Sequence, residues 1–436
     1  MIRLDSAAPG FAAAFAALVA DARATTADVA APVAAIIAQV RAEGDAAVCA
    51  LTERFDRMAV SPARLRIGAE EIAAARALVP DELLAALDVA ASRIEAFHRA
   101  QMPTDLDMTD AVGVRMGLRW GPLDAVGIYV PGGKAAYPSS VLMNALPARV
   151  AGVARIAMCV PTPDGVLNPL VLAAAARAGV SEIYRIGGAQ AVAALAYGTA
   201  SIAPVDRIVG PGNAFVAEAK RQVFGQVGID SIAGPSEVLV IADGGADPLL
   251  IATDLLAQAE HDEAAQAILI TPDAALADQV AAAVATELAD LPRAAIAGQS
   301  WDRHGAIIVV RDLAEAATLA NQLAAEHLEL MVADPAALFA RIRHAGAAFL
   351  GAHTPEALGD YVAGPNHVLP TGRTARYASG LSVFDFLKRT SWICASPQGL
   401  AAIGPAAVAL AGAEGLDAHA LSLSRRLARG DRGPGS

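Results

Sequence analysis

The chain has 436 residues, enough at roughly 100–200 residues per domain for two to four domains and a core that needs no disulfide or metal staple. Apolar residues make up 55% and charged residues 18%, which excludes a disordered chain. The 33 Lys and Arg against 45 Asp and Glu leave a formal charge of −12, which argues against a nucleic-acid or anionic-membrane surface.

Residues 1 to about 118 read as helical. Phe11 to Ala20 is apolar, and Ala20-Asp21-Ala22 resembles a leader's cleavage site. Asp5 stands where a leader would be basic, so an amphipathic first helix is the better reading. From Asp28 to Arg57, Val33, Ile36, Ile37, Val40, Val48 and Leu51 recur at helical spacing. Glu70 to Arg99 continues this, broken at Pro80-Asp81. No catalytic signature appears here, and a packing or oligomerisation element is the expectation.

From Leu118 short apolar runs alternate with helical patterns. Strands are expected at Ala125–Val130, Arg155–Val160, Glu182–Ile186 and Arg207–Val209, with helices at Ser140–Gly152, Asn168–Ala178 and Gln190–Tyr197. This βαβ rhythm predicts a mostly parallel sheet. A second set follows at Glu237–Ala242, Gln266–Thr271, Ala306–Val310, Leu328–Val332 and Ala347–Leu350. Asp247-Pro248 and Asp334-Pro335 read as a cap followed by a first-turn proline, and Asp312 with Glu315 as a capping box. Gly351 to Ser379 lacks periodicity; a loop of that length is uncommon unless it has a function. Residues 381–436 return to helix and end in a polar tail. Cys49, Cys159 and Cys394 lie far apart and read as buried, reduced thiols of a cytoplasmic protein. No apolar run reaches the ~18–20 residues of a membrane span.

Ligands of open parallel sheets bind beyond the carboxyl ends of strands. Three glycine-rich turns stand at such ends, each with one hydrogen-bonding side chain: Tyr129 before Pro131-Gly132-Gly133, Gln190 after Gly187-Gly188, and Asn213 after Gly210-Pro211-Gly212. One such turn is an ordinary tight turn; three point to a ligand site. Neither the Rossmann G-x-G-x-x-G nor the P-loop pattern is present, so any dinucleotide is held in another way. Gln258 and His261 are i, i+3 on a helix and share a face. That pair alone is a weak metal signal, and His261 near a helix C-terminus is its plainer reading. Asp360 and His419 are further donors to which nothing local links it. Glu326-His327 sits between a helix and a strand, where both side chains can address one substrate. From the dipeptide alone, a surface carboxylate and a C-capping imidazole are the plainer reading. Gly415 breaks a helix and leaves Glu414 before, and His419 after, a plain helical corner. The remaining histidines, His98 among them, read as structural or surface.

Taken together and in order, the motifs resemble the histidinol dehydrogenase family. They are Val126-Gly-Ile-Tyr-Val-Pro-Gly-Gly133, Gly187-Gly-Ala-Gln-Ala191, Gly210-Pro-Gly-Asn213, Ala233-Gly-Pro-Ser-Glu237, Gln258-Ala-Glu-His-Asp262, Ala325-Glu-His-Leu-Glu329, Gly364-Pro-Asn-His-Val-Leu-Pro-Thr-Gly372, Ser379-Gly-Leu-Ser-Val383 and Glu414-Gly-Leu-Asp-Ala-His419. The resemblance implies two Rossmann-like parallel-sheet α/β domains of aldehyde-dehydrogenase-like kind, with a helical N-terminal region and a helical C-terminal extension. Expected boundaries are 1–118, 119–234 on the NAD side, 235–380 with the metal and catalytic residues, and 381–436 reaching a partner subunit. It implies a zinc- and NAD+-dependent oxidation of L-histidinol through the aldehyde to L-histidine. One Zn2+ per subunit would be held by Gln258, His261, Asp360 and His419. Ser236, His367 and Glu414 would contact substrate, together with Glu326, His327 and the metal ligands. Tyr129, Gln190 and Asn213 would contact NAD. The assembly would be a homodimer with shared sites.

The residue types suit that chemistry. An imidazole at His327 can accept the hydroxyl proton, and a carboxylate at Glu326 can activate the water that hydrates the aldehyde. A relative of the same fold that oxidises another small alcohol, such as a sulfonated diol, is the alternative. Glu414 suits a cationic amine or an imidazole N–H better than a sulfonate. Two further alternatives are a zinc hydrolase using Glu326 and a non-catalytic binding protein. Ala325 departs from the proline that many relatives carry before Glu-His.

Overall fold

Runs such as Glu237–Ala242 and Gln266–Thr271 are apolar on both strand faces, a pattern that fits only a sheet covered on both sides. The computed structural model describes residues 1–21, 29–132, 137–232 and 234–430. Ala22, Asp28, Gly133, Ala233 and the tail 431–436 therefore lie outside the described residues. Among the described residues the strands, in chain order, are β1 (Ile2–Asp5), β2 (Leu106–Thr109), β3 (Val114–Pro122), β4 (Ala125–Tyr129), β5 (Arg155–Cys159), β6 (Glu182–Tyr184), β7 (Arg207–Val209), β8 (Gly228–Ile229), β9 (Glu237–Ala242), β10 (Gln266–Thr271), β11 (Ala306–Val309), β12 (His327–Met331), β13 (Ala347–Leu350) and β14 (Leu387–Ala395).

Contacts divide the chain into two compact units, Met1–Gln101 with Leu123–Phe386, and Met102–Pro122 with Leu387–Ser436. The first unit carries two parallel sheets, ordered β6-β5-β4-β7-β8 and β1-β11-β10-β9-β12-β13. In each, the chain winds outward one way and then returns to the other side of its first βαβ strand. The strand order reverses beside β4 and beside β9, as in doubly wound α/β folds. The second sheet buries Leu239, Ile241, Ile268, Ile308 and Leu328 on one face and Val238, Val240, Leu269, Ile307 and Met331 on the other.

The N-terminal helices are shared between the two sheets. Helices Ala30–Glu43 and Asp45–Asp56 pack Val33, Ile37, Val40, Val48 and Leu51 into the core of the five-stranded sheet. Gly44, at φ +58, divides the helically spaced stretch into these two helices. Helix Phe11–Ala20 instead sends Phe15 and Leu18 into the core of the six-stranded sheet. The chain's first residues form β1, which pairs in parallel with β11. The expectation of an all-helical 1–118 is corrected further by β2 and β3.

The second unit holds an antiparallel sheet ordered β14-β3-β2 and the helices Pro397–Ala413 and Asp417–Gly430. Residues 387–395, expected to be helical, form a nine-residue strand against β3. The sequence LKRTSWICA hides this because its apolar residues are exposed or half-buried and give no core-facing period. The capping expectations for Asp247 and Asp334 hold, each accepting a backbone N–H at the start of its helix, as Asn168 also does. Asp312 accepts the Glu315 N–H, but Glu315 Oε2 accepts the N–H of Arg311, so the expected box does not close on Asp312. The cysteines differ from expectation: Cys159 alone is buried, Cys49 is half-buried and Cys394 exposed.

Candidate active site

Gln258 occupies the last turn of helix Pro248–Ala259 and is fully buried. His261 follows on the next turn, its N–H donating to the Gln258 carbonyl at 3.2 Å. It is exposed, with Nδ1 3.4 Å from Gln258 Nε2. This helix returns along the six-stranded sheet, so its C-terminal end meets the amino ends of β9 and β12. There the parallel register sets His327 opposite Val238. The helix before β12 stops at Leu323 because Ala324 turns into the left-handed region at φ +46. Glu326 and His327 are then delivered inward, at 6% and 3% exposure. The surface-carboxylate reading of this dipeptide is thereby removed.

His327 Nδ1 lies 3.0 Å from Gln258 Oε1 and 3.3 Å from Glu356 Oε1. Its Nε2 is buried without a hydrogen-bond partner among the described residues. Burial pulls the imidazole down to about 3, with His261 adding to the effect, so it is neutral at pH 7 and able to accept a proton. The backbone N–H of Glu237 donates to Glu326 Oε2 at 3.1 Å, fixing that carboxylate at the amino end of β9.

The long segment after β13 supplies the other wall. Helix Glu356–Tyr361 places Glu356 and Asp360 one turn apart, hence on one face. Ligand atoms of His261, Glu356 and Asp360 lie within 4.8 Å of one another. An imidazole and two carboxylates, with the Gln258 amide next to His261, make a donor set that fits a divalent cation such as zinc. Burial raises the Asp360 carboxyl to about 6 and Glu356 well above the ordinary range, the latter also through neighbouring carboxylates. A cation among these groups would offset that mutual repulsion. His367 Nδ1 lies 3.0 Å from the Asp360 carbonyl, and its Nε2 3.4 Å from the Ser140 hydroxyl. Burial holds His367 neutral as well, at about 4. Ser236 lies just before β9, where its carbonyl accepts the Gln266 N–H at 3.0 Å.

The glycine turns sit at the carboxyl edge of the five-stranded sheet. Tyr129 ends β4, and its hydroxyl accepts the Gly188 N–H at 3.1 Å. Burial pushes that phenol up to about 12, so it is neutral. Gln190, in the first turn of helix Gly188–Tyr197, is buried, and its Oε1 has no partner among the described residues. Asn213 caps helix Ala214–Val223, its Oδ1 accepting from the N–H groups of Phe215 and Val216.

Glu414 and His419 belong to the second unit. Glu414 follows helix Pro397–Ala413, Gly415 turns at φ +70, and His419 stands in the first turn of Asp417–Gly430. The cluster of the first unit is assembled without them. Sequence reasoning missed Glu356, and with it Glu329 and Asp254. Glu329 accepts the Glu356 N–H at 2.7 Å, and burial raises the carboxyls of both Glu329 and Asp254. The available signal was spacing: Asp254 is one turn before Gln258, and Glu356 one turn before Asp360.

A profile of the histidinol dehydrogenase family matches residues 20–427. The chain is 69% identical over 427 residues to the histidinol dehydrogenase of Gluconobacter oxydans, covering 98% of this chain and 99% of that protein. To that of Ruegeria pomeroyi it is 64% identical over 426 residues, covering 98% of each. The crystal structure of the Elizabethkingia anophelis histidinol dehydrogenase superposes with a TM-score of 0.94 at 37% identity, covering 98% of both chains. The doubly wound α/β chain described here therefore belongs to the histidinol dehydrogenase family of oxidoreductases.

Proposed function

We propose that the chain oxidises L-histidinol through L-histidinaldehyde to L-histidine. Water and two NAD+ are consumed, and two NADH and three protons are released. The observation that carries the reading is the buried His327-Glu326 pair beside Gln258, His261 and Asp360. Bound NAD+ would supply the hydride acceptor for both oxidations. Tyr129, Gln190 and Asn213, at one sheet edge, are the groups to contact it, and Gln190 Oε1 is buried without a partner among the described residues. Bound zinc would hold the imidazole and amino nitrogens of the substrate, which is orientation rather than generation of hydroxide. Gln258, His261 and Asp360 from the first unit, with His419 from the second, are its proposed ligands.

The chain's own residues then move protons. His327, buried and neutral, takes the hydroxyl proton as hydride leaves the carbinol carbon. Glu326, fixed by the Glu237 amide, removes a proton from the water that adds to the aldehyde. The hydrate then loses its second hydride. Ser236, His367 and Glu414 are read as substrate contacts, Glu414 toward a cationic or N–H group. Sharing Glu414 and His419 across a homodimer, and action in the cytoplasm, are parts of this proposal. Among the described residues no helix is long and apolar enough to cross a membrane.

The test is stoichiometry. Purified protein given histidinol, NAD+ and zinc should form two NADH per histidine. One NADH per substrate, with aldehyde accumulating, or no turnover, would refute it.

A further inference from the structure

Lys220 is among the largest fully buried side chains of the chain, and the reaction makes no use of it. It projects from helix Ala214–Val223, and its Nζ donates to the Gly210 carbonyl at 3.0 Å. It is ion-paired with Asp230, which is also buried and follows β8. Asp230 Oδ2 in turn accepts the Gly210 N–H at 2.8 Å. One buried ion pair thus holds both backbone polar groups of a single glycine.

That glycine is under unusual constraint. Gly210 has φ +111, and a Cβ there would lie 2.1 Å from the Tyr129 carbonyl oxygen. The turn therefore lies flat on the Tyr129 backbone and leads within three residues to Asn213. Tyr129 continues the chain of contacts through its hydroxyl to Gly188 N–H, at the head of the helix that carries Gln190. The three turns of the carboxyl edge are connected, and the Lys220–Asp230 pair stands at the root of one of them.

A buried ion pair is poor evidence for stability, because an apolar pair of similar volume often serves as well. What an apolar pair cannot do is hold an N–H and a C=O in fixed directions. We propose that Lys220 and Asp230 are positioning residues for the dinucleotide, locking Gly210 so that Tyr129 and Asn213 present a preformed edge to the nicotinamide nucleotide. The inference rests on the reading of Tyr129, Gln190 and Asn213 as dinucleotide contacts.

The double variant Lys220→Met/Asp230→Leu removes the lock without stranding a buried charge. NADH binding, followed by nicotinamide fluorescence, should weaken about tenfold, the scale of two lost hydrogen bonds. KM for NAD+ should rise in parallel, while KM for histidinol stays at its wild-type value. Gln190→Ala serves as the control for the dinucleotide reading. Unchanged NADH affinity in the double variant, with weakened affinity in Gln190→Ala, would overturn the lock alone. Unchanged affinity in both would overturn the lock and the dinucleotide reading together. Should the double variant fold poorly, Lys220→Met/Asp230→Asn keeps a neutral acceptor for the Gly210 N–H, loses the Nζ contact to its carbonyl and again strands no buried charge. A loss of about threefold in NADH affinity there supports the lock, and no loss overturns it.

Discussion

At the scale of single residues, the proposed chemistry depends on two imidazoles with opposite surroundings. His327 is buried, held neutral and oriented through Nδ1; His261 is exposed and stands at the mouth of the acidic cluster. Removing a proton acceptor from a transition state costs about 10²–10⁴ in rate. His327→Ala should therefore lower kcat by about that factor and leave bound zinc at one equivalent, as metal analysis would show. Turnover near wild type would remove His327 from the mechanism. His261→Asn should do the reverse in order: zinc content falls first, and activity returns in part with excess metal. Full zinc occupancy in that variant would reassign the ligand set. The contrast between these side chains was not legible in the sequence. Adjacent Glu and His carry no burial signal of their own. Only the left-handed turn at Ala324 and the register of β12 against β9 bring them inward.

At the scale of elements, the turns and caps were legible and the strands at the margins were not. Asp247 and Asp334 are read correctly because a cap is a local device, a side chain and an N–H close together in sequence. β1 and β14 escape because their pairing partners are remote: β1 adds to β11, some three hundred residues on. The two sheets use opposite edges. The carboxyl-end rule describes the three glycine turns of the five-stranded sheet. Glu326, His327 and Glu237 instead sit at the amino ends of β9 and β12. The metal-facing cluster depends on the far end of the returning helix, where Gln258 and His261 are. A local device also yields a local prediction. Asp273 caps helix Ala274–Asp290, its Oδ1 accepting the N–H groups of Ala275 and Leu276 at 2.8 and 3.0 Å. Asp273→Ala should lower stability by about 1 kcal/mol and leave kcat unchanged. Denaturant midpoints would check it, and an unaltered midpoint would mean that the helix is held by packing alone.

At the scale of the whole molecule, stability and assembly both have signatures. His98, taken from sequence as structural or surface, is fully buried, with Nδ1 2.7 Å from Gln101 Oε1. Burial lowers its affinity for a proton, and the Gln101 contact offsets this only in part. Below about pH 6.5 the unfolded chain takes up a proton that the folded chain refuses. Stability from this group is thus complete above that pH and is lost as pH falls toward the lowered folded value. Buried carboxyls such as Glu356 act with the opposite sign, so the measurement is a difference. Melting curves of wild type and His98→Asn should converge as pH falls from about 7.5 to 5; parallel curves would contradict it.

Assembly gives the wider test. Glu414 and His419 are carried by a unit distinct from the one that holds His261 and His327. If a homodimer shares them across its axis, each site needs the first unit of one protomer and the second unit of the other. His327→Ala protein and His419→Asn protein would each be inactive alone. After mixing and subunit exchange, half the dimers are hybrids. In each hybrid, one site unites both lesions and the other has neither. Activity should therefore recover to about a quarter of wild type. A site built within one protomer predicts no recovery at all, because every site in the mixture then keeps its own lesion.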